Sequence, residues 1–455
     1  MRFSELEGAS VGVWGAGREI GSFARQLALR IPSARIAAAV FDAPPGAEEI
    51  AALGSADVVT GPPEQAGRLL GECDVVVRSP GVSIHRRELA ALIAAGKPVT
   101  TATGLWLAER EGRGVIGVTG TKGKSTTAAL IAHLLRAGGI PAALAGNIGA
   151  PALDLLDGDQ DAPAVVELSS YQIADLPHGP EVALLTNLYR EHIDWHGSEQ
   201  AYRAEKLRLF ELPGVRVRVL NARTDGLAPA PTGSRTLRFG EPGGWDVRAG
   251  ALTLAGAEQV QLAELPLAGE HNALNLCAAL SALEAFGAQA PSLPGALAGF
   301  AALPHRLETV HEQDGVTWVD DSISTTPEST MAALASFPGR ELILIAGGQD
   351  RGQDFGGLAA DLTARGTTVI AVPSTGPRLL AELIREGARG ERALTAADLA
   401  EAVALARAHA RAGSVVLLSP AAPSYDHFRD FEQRGERFRA LAAAARPESQ
   451  PDRGG

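Results

Sequence analysis

The sequence predicts an α/β protein of three domains in series: a Rossmann-like first domain, a central phosphate-loop domain whose parallel sheet continues into a β-meander, and a Rossmann-like third. Three observations carry this. Short apolar runs alternate with helical patterns along nearly the whole chain. Glycines and polar residues cluster where those runs end. The 455 residues amount to about three domains of ordinary size, and 45% apolar with 21% charged content supplies ample core.

The first domain is expected over residues 1–102. Val11–Trp14 reads as a strand, followed by the turn Gly15-Ala-Gly17-Arg-Glu-Ile-Gly21 and a helix through Arg30. Ile36–Phe41 and Asp74–Arg78 are further strands, the latter running into Ser79-Pro80-Gly81. Strand, glycine turn, helix, strand opens a doubly wound sheet, and its helix N-terminus faces an anionic ligand. The glycines are spaced GxGxxxG rather than GxGxxG, which argues for a phosphate-bearing ligand other than a nicotinamide cofactor.

The second domain, 103–303, opens with the strand Gly114–Val118 and the loop Thr119-Gly120-Thr121-Lys122-Gly123-Lys124-Ser125-Thr126, leading into a helix to Ala137. This is the context of a P-loop-type ATPase. Backbone N–H groups of Gly120 to Gly123 would cradle phosphates, Lys124 would lie along the β/γ oxygens, and Ser125 or Thr126 would meet Mg²⁺. Val118 stands where the strict motif has its first glycine. Ala164–Leu168 places Glu167 at a strand end suited to the nucleotide's metal. Leu184–Leu188 leads into Glu191, His192 and Asp194, a set fit for metal binding or proton transfer. Residues 221–260 read as β-meander, a helix starts near His271 and ends at Ala285, and Gln289–Leu303 reads as a linker. The third part, 304–445, repeats the alternation as another parallel sheet, with strands at Val316–Val319, Leu342–Ala346, Thr368–Val372 and Val415–Leu418. It closes with a helix from about Tyr425 to Ala444, and 446–455 reads as a disordered tail.

Lysine usage sharpens the picture. Only four of the 41 basic residues are lysines, and Lys122, Lys124 and Lys206 fall in two short motifs. A lysine kept against such a bias points to a compact ammonium among phosphates, or to an amine that reacts. Net charge is −12, with no basic cluster interleaved with aromatics, which excludes nucleic acid as the expected partner. Cys73 and Cys277 are too few for a disulfide framework or zinc site and read as buried thiols. With no signal-peptide pattern and no run of about 18 apolar residues, a cytoplasmic protein without membrane insertion is expected.

The phosphate-loop motif, Gly146-Asn147-Ile-Gly149, Glu167-Leu-Ser-Ser-Tyr-Gln172, Glu191-His192-Ile-Asp194, Tyr202-Arg-Ala-Glu-Lys206, His271-Asn272, Pro304-His-Arg306, Asp321-Ser322, Ser419-Pro-Ala-Ala-Pro-Ser424 and Phe431-Glu-Gln-Arg-Gly435 occur in one order along the chain. Together they resemble the Mur ligases, ATP-dependent amino-acid ligases of peptidoglycan precursor synthesis, and the last motif is like that of the D-glutamate-adding members. The resemblance implies addition of D-glutamate to UDP-N-acetylmuramoyl-L-alanine through an acyl phosphate, by a cytoplasmic monomer using ATP and two Mg²⁺ ions. It implies that Gly15, Gly17, Ser79, Pro80, Gly81 and Asn147 bind the UDP substrate. Gly120 to Thr126, Asn272, Arg306 and Asp321 would bind ATP. Ser125, Glu167, His192 and a carbamylated Lys206 would hold the metals, with Lys124, His192 and Lys206 catalytic. Thr325, Arg351, Ser424 and Phe431 would bind the amino acid.

Several positions depart from the family pattern. Lys122 stands for asparagine, Glu191 for aspartate, Ile323 for a frequent lysine, Arg351 for lysine, and Ala422-Pro423 for Cys-Ala. Those in the third domain fall where glutamate would be recognised, so addition of L-glutamate or another amino acid is the alternative. A non-catalytic nucleotide switch would not need Lys206, His192 and the third domain's polar strand ends together.

Overall fold

A computed structural model describes residues 1–42, 45, 50–54, 58–189, 196, 198–224, 233–265, 270–300, 304–350, 352–388, 390–424 and 426–444. The chain forms two compact units, Met1–Phe300 and Ala301–Gly455.

The first unit holds two parallel sheets. In the first, β1 (Ser10–Trp14) lies between β2 (Arg35–Val40) and β4 (Val75–Arg78), with β3 (Val59–Gly61) and β5 (Val99–Thr100) at the edges. Strand order reverses between β1 and β4, so the loops after these two strands face the crevice where such sheets bind ligands. The second sheet runs β11-β10-β9-β6-β8-β7. Its strands are β6 (Val115–Thr119), β7 (Ala143–Gly146), β8 (Ala164–Glu167), β9 (Val182–Leu185), β10 (Val217–Asn221) and β11 (Arg235–Phe239). β6 sits at the corresponding reversal.

Helices α1 (Arg18–Arg30) and α2 (Arg87–Ala94) pack on the first sheet, while α3 (Ala102–Arg110) is buried nearly all round from Ala102 to Ala108. A helix apolar on every side must be covered on every side. Here Leu105, Trp106 and Leu107 share one core with Val11 and Val13 of the first sheet, Phe23 of α1, and Val166 and Leu185 of the second sheet. Helix α4 (Lys124–Ala137) follows β6, α5 (Glu199–Arg208) precedes β10, and α6 (Glu270–Phe286) packs with α4 in a second core. The β-meander expected over 221–260 is shorter. Arg235–Phe239 pairs in parallel with β10 and extends the main sheet, burying Phe239. Among the described residues, β12 (Trp245–Arg248), β13 (Ala251–Leu254) and β14 (Ala257–Gln261) form the antiparallel meander. A short helix, Leu293–Ala296, lies within the expected linker.

Among the described residues, the second unit has one sheet, ordered β15-β16-β20-β17-β18-β19. Its strands are β15 (Glu308–Gln313), β16 (Val316–Asp320), β17 (Leu342–Ala346), β18 (Thr368–Ala371), β19 (Ala393–Thr395) and β20 (Val415–Leu418). Helices α7 (Pro327–Ala335), α8 (Gly356–Arg365), α9 (Gly376–Arg385), α10 (Leu399–His409) and α11 (Phe431–Ala443) complete it. The sheet departs from the all-parallel expectation at one edge, where β15 pairs antiparallel with β16. The cause is Asp314-Gly315, both at positive φ (54° and 76°), the pair that favours a tight hairpin. The last helix begins at Phe431 rather than near Tyr425, because Asp430 caps it by accepting from Gln433 N. Tyr425 and the expected tail lie outside the described residues. Both cysteines are free and buried, and no helix among the described residues is long and apolar enough to cross a membrane.

Candidate active site

The phosphate loop is shaped by two close approaches. Gly120 (φ 147°) passes Thr186 so tightly that an added Cβ would lie 1.9 Å from Oγ1, and Gly123 (φ 78°) would place one 2.3 Å from Asn275 Oδ1. Thr186 and Asn187, just past β9, hold the loop from outside. Thr121 N donates to Asn187 O (3.0 Å), Lys122 N to Asn187 Oδ1 (2.8 Å), and Thr186 Oγ1 to Lys122 O (2.7 Å). Lys124 Nζ donates to Thr121 O at 2.9 Å, folding its ammonium back over the loop. Ser125 and Thr126 occupy the first turn of α4, with Ser125 buried.

Helix α5 brings a second cation. Lys206 is 2% exposed, donates to Gly120 O at 3.0 Å, and stacks its ammonium 4.9 Å from the Tyr202 ring centre. The Tyr202 hydroxyl lies 2.8 Å from Thr121 Oγ1. The structure therefore brings together Gly120 to Ser125 and Lys206, from distant parts of the chain. Asn272 joins through α6: Asn275, which packs on Gly123, donates to Asn272 Oδ1 at 3.3 Å.

Glu167 ends β8, in register beside Val118 of β6. It is 1% exposed, and Asn147 Nδ2 donates to its Oε1 at 2.8 Å. Its Oε2 is buried with no hydrogen-bond partner among the described residues. A buried anionic oxygen without a donor is costly unless a cation completes it. That oxygen and the Ser125 hydroxyl are oxygen donors of the kind a hard cation takes, whereas the Lys206 ammonium repels a cation unless it is modified.

At the first sheet's reversal, an added Cβ on Gly15 (φ 92°) would meet Ser79 Cβ at 2.8 Å, so the two loops touch. Gly17 (φ 103°) starts α1. Arg78 fixes the other loop, pairing with Asp175 through two 2.7 Å bonds and donating to Pro80 O (3.2 Å) and Val82 O (3.0 Å). Arg18 donates to the carbonyls of Asn147 and Gly149, which puts Asn147 between this turn and Glu167. Gln172 donates to Glu19 at 2.5 Å, and Thr103 donates to it at 3.2 Å; burial still pushes the Glu19 carboxyl above its ordinary range.

Arg306, Asp321, Thr325, Ser424 and Phe431 lie in the second unit. Asp321 is 2% exposed; Ser419 Oγ donates to it at 2.7 Å and Leu307 N at 3.3 Å, and burial pushes its carboxyl up to about 6. Phe431 O accepts from Ser322 Oγ (2.8 Å), and its ring stacks edge-on against His305. The buried Arg434 binds this region into one piece, donating to Ser322 Oγ (3.0 Å), Ser322 O (2.8 Å) and Ala422 O (3.1 Å). Ile323 and Ala422-Pro423 flank it. His305, Glu308 and Asp320 have ligand atoms within 4.8 Å of one another. However, His305 is hydrogen-bonded to Asp320 at 2.7 Å, which raises its pKa, and Glu308 is paired with Arg439. His192 and Arg351 lie outside the described residues, as do Glu191 and Asp194. Sequence reasoning missed Thr186, Asn187, Asn275 and Arg434. Of these Asn275 carried a signal, one helical turn after Asn272 on α6, and Arg434 lies within the Phe431–Gly435 motif without having been singled out.

Residues 118–283 match the Mur ligase middle domain, and residues 305–422 match the Mur ligase, glutamate ligase domain. Relatives align end to end. The UDP-N-acetylmuramoyl-L-alanine–L-glutamate ligase of Xanthomonas axonopodis pv. citri is 43% identical, covering 97% of both chains. That of Salinispora tropica is 43% identical over 96% of this chain and 98% of its own. The chain belongs to the Mur ligase family. Among solved structures, UDP-N-acetylmuramate-alanine ligase from Thermotoga maritima matches with a TM-score of 0.58 at 18% identity, covering 94% of this chain and 98% of that one. The MurF ligase of the same organism, in complex with ADP, matches with 0.55 at 18% over 97% and 96%. At that identity the likeness is of fold. This Mur ligase is an ATP-dependent ligase of peptidoglycan precursor synthesis.

Proposed function

We propose that this Mur ligase joins L-glutamate to UDP-N-acetylmuramoyl-L-alanine. The sequence motifs alone favour D-glutamate, with L-glutamate as the alternative. The relatives' names reverse that order, and the departures at Ile323 and Ala422-Pro423 lie around Arg434 and Phe431, in the unit matched to the glutamate ligase domain. What supports ligase chemistry in the structure is that Lys124 and Lys206 both reach the phosphate loop after β6, while the adjacent β8 ends in Glu167, one of whose oxygens has no hydrogen-bond partner among the described residues.

The loop 120–124 and Lys124 hold the β- and γ-phosphates. Asn272, Arg306 and Asp321 are assigned as nucleotide contacts. Gly15, Gly17 and Ser79 to Gly81 bind the UDP end, and Asn147 the reacting end. Thr325, Arg351, Ser424 and Phe431 bind the amino acid. Ser125, Glu167, His192 and a carbamate on Lys206 would hold two Mg²⁺ ions, which when bound offset the crowded charge of three phosphates and a carboxylate. The carbamate forms when the neutral Lys206 amine adds to CO₂ and releases a proton. The substrate carboxylate attacks the γ-phosphate, expelling ADP, and the resulting acyl phosphate is attacked by the glutamate amine, expelling phosphate. Water must be kept out meanwhile.

Phosphate release with UDP-N-acetylmuramoyl-L-alanine, ATP and Mg²⁺, run with L- and D-glutamate in parallel, tests the reading. Turnover with L-glutamate and a product heavier by one glutamyl residue is expected. Turnover with D-glutamate alone would return the enzyme to the other stereochemistry.

A further inference from the structure

The loop after β4 reaches beyond its own sheet. His85 Nε2 lies 2.6 Å from Glu205 Oε1, and the other oxygen of Glu205 lies 2.5 Å from His196 Nδ1. Glu205 precedes Lys206 on α5, so one carboxylate links the first sheet's ligand loop to the helix that touches the phosphate loop. Burial would raise the Glu205 carboxyl, but the two histidine bonds outweigh it and hold the group ionised below its usual range.

The far side of this link is rigid. His196 is buried, its ring packed against Tyr171 and Tyr202 with centres 5.6 and 5.2 Å away, and its Nε2 lies 2.9 Å from Ser170 Oγ. Ser170, His196 and Glu205 stand in the order of a hydrolase triad. Yet Ser170 is 2% exposed and begins a one-turn helix inside the core, which leaves no access for an acyl group. The chain of bonds acts as a strut. Arg208 fixes the end of α5 by donating to the carbonyls of Ile173 (2.9 Å) and Leu176 (2.8 Å). On the near side, Arg78 locks the base of the 79–82 loop, while its outer part, at 83–86, meets α5 through His85.

We propose that Glu205 is a positioning residue that couples the two ligand sites of the first unit. A UDP-sugar ordering the 79–86 loop draws on α5 through His85 and Glu205, and so seats Tyr202 and Lys206 against Thr121 and Gly120. Nucleotide on the phosphate loop, by the reciprocity of linkage, tightens the loop's hold on the UDP-sugar by the same factor. This rests on the proposed assignment of the two sites.

The test is calorimetric titration of UDP-N-acetylmuramoyl-L-alanine with and without ADP and Mg²⁺, on wild type, His85→Ala, Glu205→Gln and His85→Gln, each checked by thermal melting. In wild type, nucleotide should tighten UDP-sugar binding by about three- to tenfold, the scale of one partly exposed hydrogen bond. His85→Ala and Glu205→Gln should bring that ratio close to one while ADP binding alone stays within about twofold, and His85→Gln, still able to donate, should keep part of the ratio. A wild type without coupling, or coupling that survives in both disabling variants, would overturn the inference alone. A wild type that binds ADP but no UDP-sugar would overturn the proposed function beneath it.

Discussion

At the scale of single residues, two buried groups are shaped for chemistry rather than stability. Lys206 places an amine in the core within 3.0 Å of Gly120 O, and Glu167 holds a carboxylate oxygen in the core without a donor among the described residues. A fold selected for stability alone would fill both positions with apolar side chains. In the proposed function they are the two sides of a cation site, one of them completed by modification. Lys206→Arg keeps the charge but cannot form a carbamate, and its larger planar head must also fit a position 2% exposed. Activity should fall by about two orders of magnitude or more, the scale seen when one fixed electrostatic group is removed, and added bicarbonate should not restore it. Turnover near wild type in that variant would exclude the carbamate.

Among the elements, the phosphate loop is where backbone conformation matters most. Gly120 combines a positive φ with a 1.9 Å approach to Thr186 Oγ1, and Thr186 is itself tied to Lys122 O. Gly120→Ala must displace Thr186 and strain the backbone together. A loss of about 2–4 kcal/mol in unfolding free energy is expected from overpacking plus strain, with nucleotide affinity lost alongside. Denaturant titration with and without ADP would separate the two effects, and a stable variant that still binds ADP would show the loop to be more yielding than this. Elements of this kind are legible in the sequence because the strand, glycine loop and helix are local: Leu342–Ala346 and Val415–Leu418 match the structure to the residue, and α4 within one. The short edge strands Val59–Gly61, Val99–Thr100 and Ala143–Gly146 are not legible, since pairing partners far along the chain define them. The candidate site divides in the same way. Motif residues such as Lys124 and Glu167 announce themselves, whereas Thr186 and Asn187 matter only through what the fold places beside them. Glutamate stereochemistry is ambiguous in the sequence for that reason, because Ile323 and Ala422 report only that a familiar side chain is missing.

For the whole molecule, two compact units with separate cores call for stability to be assigned unit by unit. The second unit carries its own pH dependence in Asp321. Burial lifts that carboxyl from 3.8 to about 6, against hydrogen bonds from Ser324 and Ser419 that favour its charged form. Between these values the folded chain binds a proton that the unfolded chain has lost, so unfolding releases it and stability falls as pH rises. The loss is complete above about pH 6 and amounts to roughly 3 kcal/mol, because each tenfold change in proton affinity is worth about 1.4 kcal/mol. Urea unfolding of wild type and Asp321→Asn at pH 4, 5, 6 and 7 isolates this contribution, because every other titrating group is common to both. The wild type should lose stability relative to the variant steadily across that range and level off at its upper end. Parallel curves would mean that Asp321 titrates in the folded protein as it does in the unfolded chain, and that its burial is relieved in solution. A falling difference would show instead that the second unit maintains a buried carboxylate at neutral pH at the expense of its own stability, as a residue placed for ligand contact rather than for folding would require.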